Sequence, residues 1–183
     1  MEKKKIIHAQ NGANYLNEIE NFEIPTNCIF NKGKTGCGGT ELAINQRGHT
    51  IIAMPYVNLV KNKEITNERR VYDVLGVYEN VSRADITDYA NNHETLKILV
   101  TYDSLPKVVN TLSAMGYNVY KDFFLLVDEY HMLFNAYSFR NAPIKQLLQL
   151  AKNFKRVTYM SATPIENEYI LEELKHLPTV IMV

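Results

Sequence analysis

Seven short apolar runs, separated by stretches of helical period, limit this chain to one broad class of fold. The runs are EIPTNCIF (23–30), HTIIAMP (49–55), VYDVLGVY (71–78), LKILVTY (96–102), DFFLLVDE (122–129), KRVTYMSA (155–162) and TVIMV (179–183). Their β-branched and aromatic content favours buried strands over helices. Between them lie GTELAINQR (39–47), YVNLVKNKEIT (56–66), DSLPKVVNTLSAM (103–115), PIKQLLQLAKN (143–153) and IENEYILEELKH (165–176). In these segments apolar residues recur three and four positions apart, the spacing of helices packed on a sheet. An opening helix is expected over NYLNEIENF (14–22). Strand and helix in alternation predict an α/β fold, a mainly parallel central sheet flanked by helices on both faces. Right-handed crossovers then bring every strand's C-terminal end to one edge of the sheet, where open α/β folds bind ligands.

Size and charge narrow the reading. With 183 residues, 46% of them apolar, and no low-complexity run or interdomain linker, the chain reads as one domain over 1–183. Twenty Lys and Arg balance 20 Asp and Glu, so there is no overall basic field and any contact with nucleic acid must be local. The one charge run, Glu2 to Lys5, is expected to be a frayed and solvated terminus. No apolar stretch approaches the roughly 20 residues of a membrane span, and no signal-peptide segment opens the chain. A cytoplasmic protein without membrane association is expected. Cys28 and Cys37 have neither metal-ligand spacing nor a histidine pair beside them, which fits free thiols in a reducing compartment.

The loop NKGKTGCGGTEL (31–42) departs by one residue from the phosphate-binding pattern G-x-x-x-x-G-K-[ST]. Gly33, Gly38 and Thr40 fit, and Gly39 stands where the pattern requires lysine. The loop follows a predicted strand and opens a predicted helix, the context in which the pattern carries meaning. Its glycines allow the backbone of Gly33, Lys34, Thr35, Gly36, Cys37, Gly38, Gly39 and Thr40 to turn its amides toward one anion. Thr40 falls where a hydroxyl ligates Mg²⁺. A charge-assisted hydrogen bond from the absent lysine is worth about 1.5–3 kcal/mol, so its loss would weaken nucleotide binding about ten- to a hundredfold. Lys34 is the candidate to restore that charge. A lysine occupies a similar position in the deviant P-loops of ParA-like and MinD-like ATPases. The alternative is that Lys34 is solvated and the loop is only a glycine-rich turn.

FFLLVDEYH (123–131) ends an apolar strand in Asp128 and Glu129, as a Walker B segment does. There the aspartate holds Mg²⁺ and the glutamate orients and deprotonates the attacking water. In chain order, TGCGGT (35–40), IIAMPYVNLV (51–60), LVTYDSL (99–105), VDEYH (127–131) and MSATP (160–164) resemble a known series of motifs. They are similar to the P-loop, Ia, Ib, II and III of the first RecA-like domain of a superfamily 2 helicase or translocase of DEAD/DEAH-box type. The resemblance extends over nearly the whole chain. It implies a RecA-like P-loop NTPase domain with ATP and Mg²⁺ as cofactors. It also implies Thr40 and Asp128 as metal ligands and Asp128 with Glu129 as the catalytic carboxylates. His131 would bridge to Ser161 and Thr163 and couple nucleotide state to the grip on nucleic acid. Pro55 and Thr101 would mark the contacts with the phosphate backbone of single-stranded or duplex nucleic acid. Lys61, Lys63 and Lys107 are each either local charge for that contact or solvated helix lysines. Gln10 is the candidate for the adenine-reading glutamine.

Two departures qualify what the resemblance implies. Gly39 replaces the loop lysine, and the second RecA-like domain, with its arginine fingers, is not in this chain and would act in cis or in trans. Weak or no ATP hydrolysis by the isolated domain is therefore expected. An alternative, favoured by Gly39, is a degenerate helicase-like fold that serves as a nucleic-acid- or protein-interaction module. A small-molecule kinase would give SATP no role and would need a lid and an acceptor site.

Overall fold

The structure is a computed structural model and describes residues 4–8, 13–65, 70–137 and 141–183. Gln10 lies outside the described residues. Eight strands form one open sheet: β1 Lys4–Ile7, β2 Cys28–Asn31, β3 His49–Met54, β4 Leu75–Val77, β5 Lys97–Thr101, β6 Phe123–Asp128, β7 Arg156–Ser161 and β8 Thr179–Met182. Their order across the sheet is β1-β8-β2-β7-β6-β3-β5-β4, and each adjacent pair is parallel. The expected α/β class is what the chain adopts, and each of the seven apolar runs contains one strand.

Side chains alternate across the strands, so the sheet divides the core in two. On one face Phe30, Ile52, Leu126 and Met160 pack with Ala43 and Ile44 of α1 (Gly39–Asn45) and Val60 of α2 (Val57–Glu64). On the other, Ile29, Ile51, Leu125 and Val157 pack with α3 (Arg83–Asn92), α4 (Leu105–Ala114), α5 (Val119–Asp122), α6 (Met132–Tyr137) and α7 (Asn141–Ala151). Burying each such aliphatic or aromatic side chain contributes about 1.5–3 kcal/mol, which is why the central strands consist almost wholly of apolar residues. At its C-terminal end α1 is held by Lys97, a buried lysine on β5. Its ammonium donates to the Gln46 carbonyl at 2.6 Å and to Thr50 Oγ1 at 3.0 Å. Burial, with Arg156 adding to it, lowers the Lys97 pKa to about 8.

Three expectations are corrected. NYLNEIENF forms only a 3₁₀ turn over Leu16–Glu18. Leu16, Ile19 and Phe22, which pack into the core of the α1 face, are spaced three apart, the period of a 3₁₀ rather than an α-helix, and Asn21 turns to a φ of 55°. IENEYILEELKH forms two 3₁₀ turns, Asn167–Tyr169 and Glu172–Leu174, with Leu171 extended between them. Ile165, Ile170, Leu171, Leu174 and Leu177 all reach the core, and the five-residue step from 165 to 170 breaks any single helical stripe. Of the charge run, Glu2 and Lys3 lie outside the described residues, while Lys4 and Lys5 begin β1, which pairs with β8. A lysine-rich edge strand exposes its charges while its backbone is paired on one side, and the charges discourage further pairing.

Helices α3, α5 and α6 were not among the expected ones. Helix α3 opens with a reciprocal cap: the Asp85 amide donates to Ser82 Oγ at 3.1 Å, and the Ser82 amide donates to Asp85 Oδ2 at 2.8 Å. Among the described residues no helix is long and apolar enough to cross a membrane.

Candidate functional site

Strands β2, β7 and β6 are neighbours, so the segments that follow them meet at one edge of the sheet. The glycine loop follows β2, Ser161 ends β7 and Asp128 ends β6. Pro55 and Thr101 follow and end the next two strands, β3 and β5. The chemically distinctive residues thus stand along one edge in the order of the strands that carry them.

A cleft of about 790 Å³ opens there, lined among others by Tyr15, Lys32, Gly36, Gly38, Thr40 and Glu129. Gly38 precedes α1 with a φ of 83°, a left-handed conformation that glycine adopts without strain. Thr40, in the first turn of α1, donates its hydroxyl to Asp128 Oδ2 at 2.9 Å, and both groups are buried. A hydroxyl whose proton is committed to a carboxylate keeps its lone pairs for another partner. Asp128 Oδ1 accepts the amide of Glu129 at 2.9 Å. This donor set fits Mg²⁺ carried by a nucleotide. Mg²⁺ is usually held by one or two protein oxygens and completed by phosphate oxygens and water. Among the described residues no cluster of three or more His, Cys, Asp or Glu offers a self-sufficient metal site.

Glu129 has a φ of 53°, left-handed and costly for a residue with a Cβ. Tyr102, fully enclosed at the end of β5, helps hold that turn. Its hydroxyl donates to the Asp128 carbonyl at 2.6 Å and lies 3.2 Å from the Glu129 carbonyl. Sequence reasoning passed over Tyr102, although an inward-facing tyrosine at a strand end needs a polar partner. Tyr102→Phe is expected to lose about 1–2 kcal/mol of stability, because it leaves a buried carbonyl unpaired. Urea denaturation of the two proteins measures this directly, and equal midpoints would remove Tyr102 from the support of the site.

Lys32 is the residue that sequence reasoning missed entirely. It follows β2, is only 7% exposed, and continues the α1-face alternation of Cys28 and Phe30. Its Nζ lies 3.5 Å from Asp128 Oδ1 and 3.4 Å from Glu129 Oε1. Burial opposes its charge, but the two carboxylates outweigh burial and raise its pKa above the ordinary lysine value. Lys34, by contrast, is exposed and does not line the cleft; it lines an adjoining hollow with Gly33, Cys37, Met182 and Val183, which shares Tyr15 and Lys32 with the cleft. Thr35 is exposed as well, and the buried Cys37 directs its thiol toward the Lys32 carbonyl at 3.8 Å.

His131 Nδ1 is 2.7 Å from Ser161 Oγ and 3.3 Å from Glu129 Oε2. Ser161 Oγ also accepts the backbone N–H of Thr163 at 2.9 Å. His131, Ser161 and Thr163 are therefore one hydrogen-bonded chain that touches the carboxylate pair, and Thr163 joins it through its amide rather than its hydroxyl.

Pro55 and Thr101 are both buried, so the solvent side of these strand ends is formed by neighbours such as Tyr56, which is 51% exposed. The lysines considered as local charge are engaged. Lys107 Nζ donates to the carbonyls of Tyr78, Glu79 and Val81 at 2.6–3.2 Å and closes the turn before α3. Lys61 lies over the Tyr78 ring at 5.1 Å, and Lys63 pairs with Glu41 at 3.5 Å. Glu41 also receives two hydrogen bonds from Arg70, which, with Lys63, hold its carboxyl below the usual range. Compared with known proteins, the sequence matches no family model and no curated protein.

Proposed function

We propose that this chain is the ATP-binding RecA-like domain of a superfamily 2 helicase-like protein, acting on single-stranded or duplex nucleic acid in the cytoplasm. The observation that carries this reading is the meeting of three motifs at the ends of adjacent strands. Thr40 of the glycine loop bonds Asp128, Asp128 adjoins Glu129, and Glu129 touches the His131–Ser161 pair. A carboxylate pair linked on one side to a glycine loop and on the other to a serine on the next strand suits a site that binds a nucleotide and relays its state, which supports this reading. Hydrolysis is expected to be weak or absent until a second RecA-like domain, in cis or in trans, closes over the cleft. Free Cys28 and Cys37 accord with a reducing compartment.

Gly39 is the one observation that favours the second reading, a degenerate interaction module. The buried ammonium of Lys32 in the same cleft weakens that reading, because the site has not lost its positive charge.

The test is binding of a fluorescent single-stranded oligonucleotide with and without Mg·ATP. Nucleotide is expected to change oligonucleotide affinity at least severalfold. Absence of oligonucleotide binding in both conditions would sink the motor reading. His131→Ala is expected to leave ATP affinity within about threefold and to abolish that change, because one hydrogen bond of about 1 kcal/mol is lost while the phosphate loop is untouched. Retention of the full nucleotide effect in His131→Ala would contradict a coupling role.

A further inference from the structure

We propose that Lys32 is the phosphate-binding lysine of this cleft, supplied from the end of β2 instead of from the first turn of α1. The inference rests on the nucleotide reading above and names the residue that completes it. Two independent observations carry it, one at each position.

At position 39 a side chain would have to displace the end of Met160. A Cβ placed on Gly39 would lie 2.8 Å from Met160 Sδ and 3.0 Å from its Cε, both closer than ordinary contact. Met160 is fully buried on β7, in register with Phe30 of β2 and Asp128 of β6, so it is enclosed by neighbours on both sides. The methionine thus occupies the place that the first atom of a side chain at 39 would take.

At position 32 the cleft receives the charge that position 39 cannot provide. Strand alternation puts Lys32 on the sheet face of Phe30, the face against which α1 packs and from which Asp128 projects. Its Nζ stands between Asp128 and Glu129 at 3.5 and 3.4 Å, longer than the roughly 2.7–2.9 Å of a fully formed charged hydrogen bond. The ammonium thus balances the carboxylate pair through one long hydrogen bond to Glu129 Oε1 and an ion pair with Asp128, and with three N–H groups it keeps donor capacity toward the cleft. Gly36, Gly38 and Thr40 line the same space. Among the described residues, the other lysine that lines this cleft, Lys63, is half-exposed and paired with Glu41, whereas Lys34 is exposed and lines only the adjoining hollow, which Lys32 and Tyr15 border from the cleft side.

Two measurements test the assignment. An acyl-phosphate derivative of ATP transfers its acyl group to an amine beside the terminal phosphate. The lysine ammonium first gives one proton to solvent; the free amine nitrogen then forms a bond to the acyl carbon, the bond from that carbon to phosphate oxygen breaks, ATP departs, and the second proton passes to solvent to leave the amide. Mass spectrometry of the wild-type chain is expected to find the label on Lys32. Label on Lys34 or Lys63 in its place, or a bound probe that labels no lysine, would overturn the proposal. In equilibrium titrations with Mg·ATP, Lys32→Met is expected to lose about ten- to a hundredfold in affinity, and more than Lys34→Ala loses. Wild-type affinity in a folded Lys32→Met, or a larger loss in Lys34→Ala, would overturn the role of Lys32 and leave the nucleotide reading standing. If circular dichroism shows that Lys32→Met does not fold, the labelling of the wild type decides. A wild-type chain that binds no ATP would instead defeat the nucleotide reading itself.

Discussion

Glu129→Gln is expected to bind Mg·ATP within about threefold of the wild type and to lose about a hundredfold or more of its hydrolysis, the range of a lost general base. The amide is isosteric with the carboxylate and can keep the contact with His131, now 3.3 Å away, so the left-handed turn at Glu129 need not change. Proton abstraction from water is lost, and with it the negative charge that faces Lys32 at 3.4 Å, while Asp128 still pairs with that ammonium. Phosphate release must be followed over hours, because turnover by this chain alone is expected to be slow. A Glu129→Gln protein that hydrolyses ATP like the wild type would exclude Glu129 as the base and move the search to another group at the same edge.

Asp128→Asn is expected to remove most of the Mg²⁺ dependence of nucleotide binding and to weaken Mg·ATP binding about ten- to a hundredfold. The Asp128 carboxylate has three partners: the Thr40 hydroxyl at 2.9 Å, the Glu129 amide at 2.9 Å and the Lys32 ammonium at 3.5 Å. All three donate or are positive, so no orientation of an asparagine amide serves them equally. Its NH₂ group must confront either the Thr40 hydroxyl or the edge shared by the Glu129 amide and Lys32. Either choice turns the threonine lone pairs or displaces the ammonium. Titrations with ATP at a series of fixed Mg²⁺ concentrations measure the effect. An undiminished response to Mg²⁺ in Asp128→Asn would remove Asp128 from the metal's surroundings.

The sheet was legible because its strands are buried on both faces, which forces near-continuous apolar runs that few other structures require. β1 escaped because an edge strand needs no apolar side chains, and Lys4 and Lys5 read as a solvated tail. The two segments expected as helices, 14–22 and 165–176, contain helix-like pairs of apolar residues, but the overall spacing of three in one and the step of five in the other fit 3₁₀ turns laid over the core. Helix α3 left a readable sign in Ser82 and Asp85, three residues apart, as a capping box should be.

The site residues were legible to the extent that they sit at strand ends in recognisable company. Asp128, Glu129, His131, Ser161 and Thr40 come from three separate segments and are joined in space. Lys32 was not found because the pattern fixes attention on the loop itself, whereas its position follows from counting along the face of β2 on which α1 packs: Cys28, Phe30, then Lys32. Tyr102 was not found because its partners are backbone carbonyls, which the sequence does not display.

The most direct measurement is an equilibrium titration of the wild-type chain with ATP, with and without Mg²⁺, read by the change in hydrogen exchange at the amides of Gly36 to Thr40. Saturable binding that is strengthened by Mg²⁺ and protects those amides is the expected result. No binding at millimolar ATP, or binding that leaves the loop unprotected, would contradict the assignment of this cleft to a nucleotide.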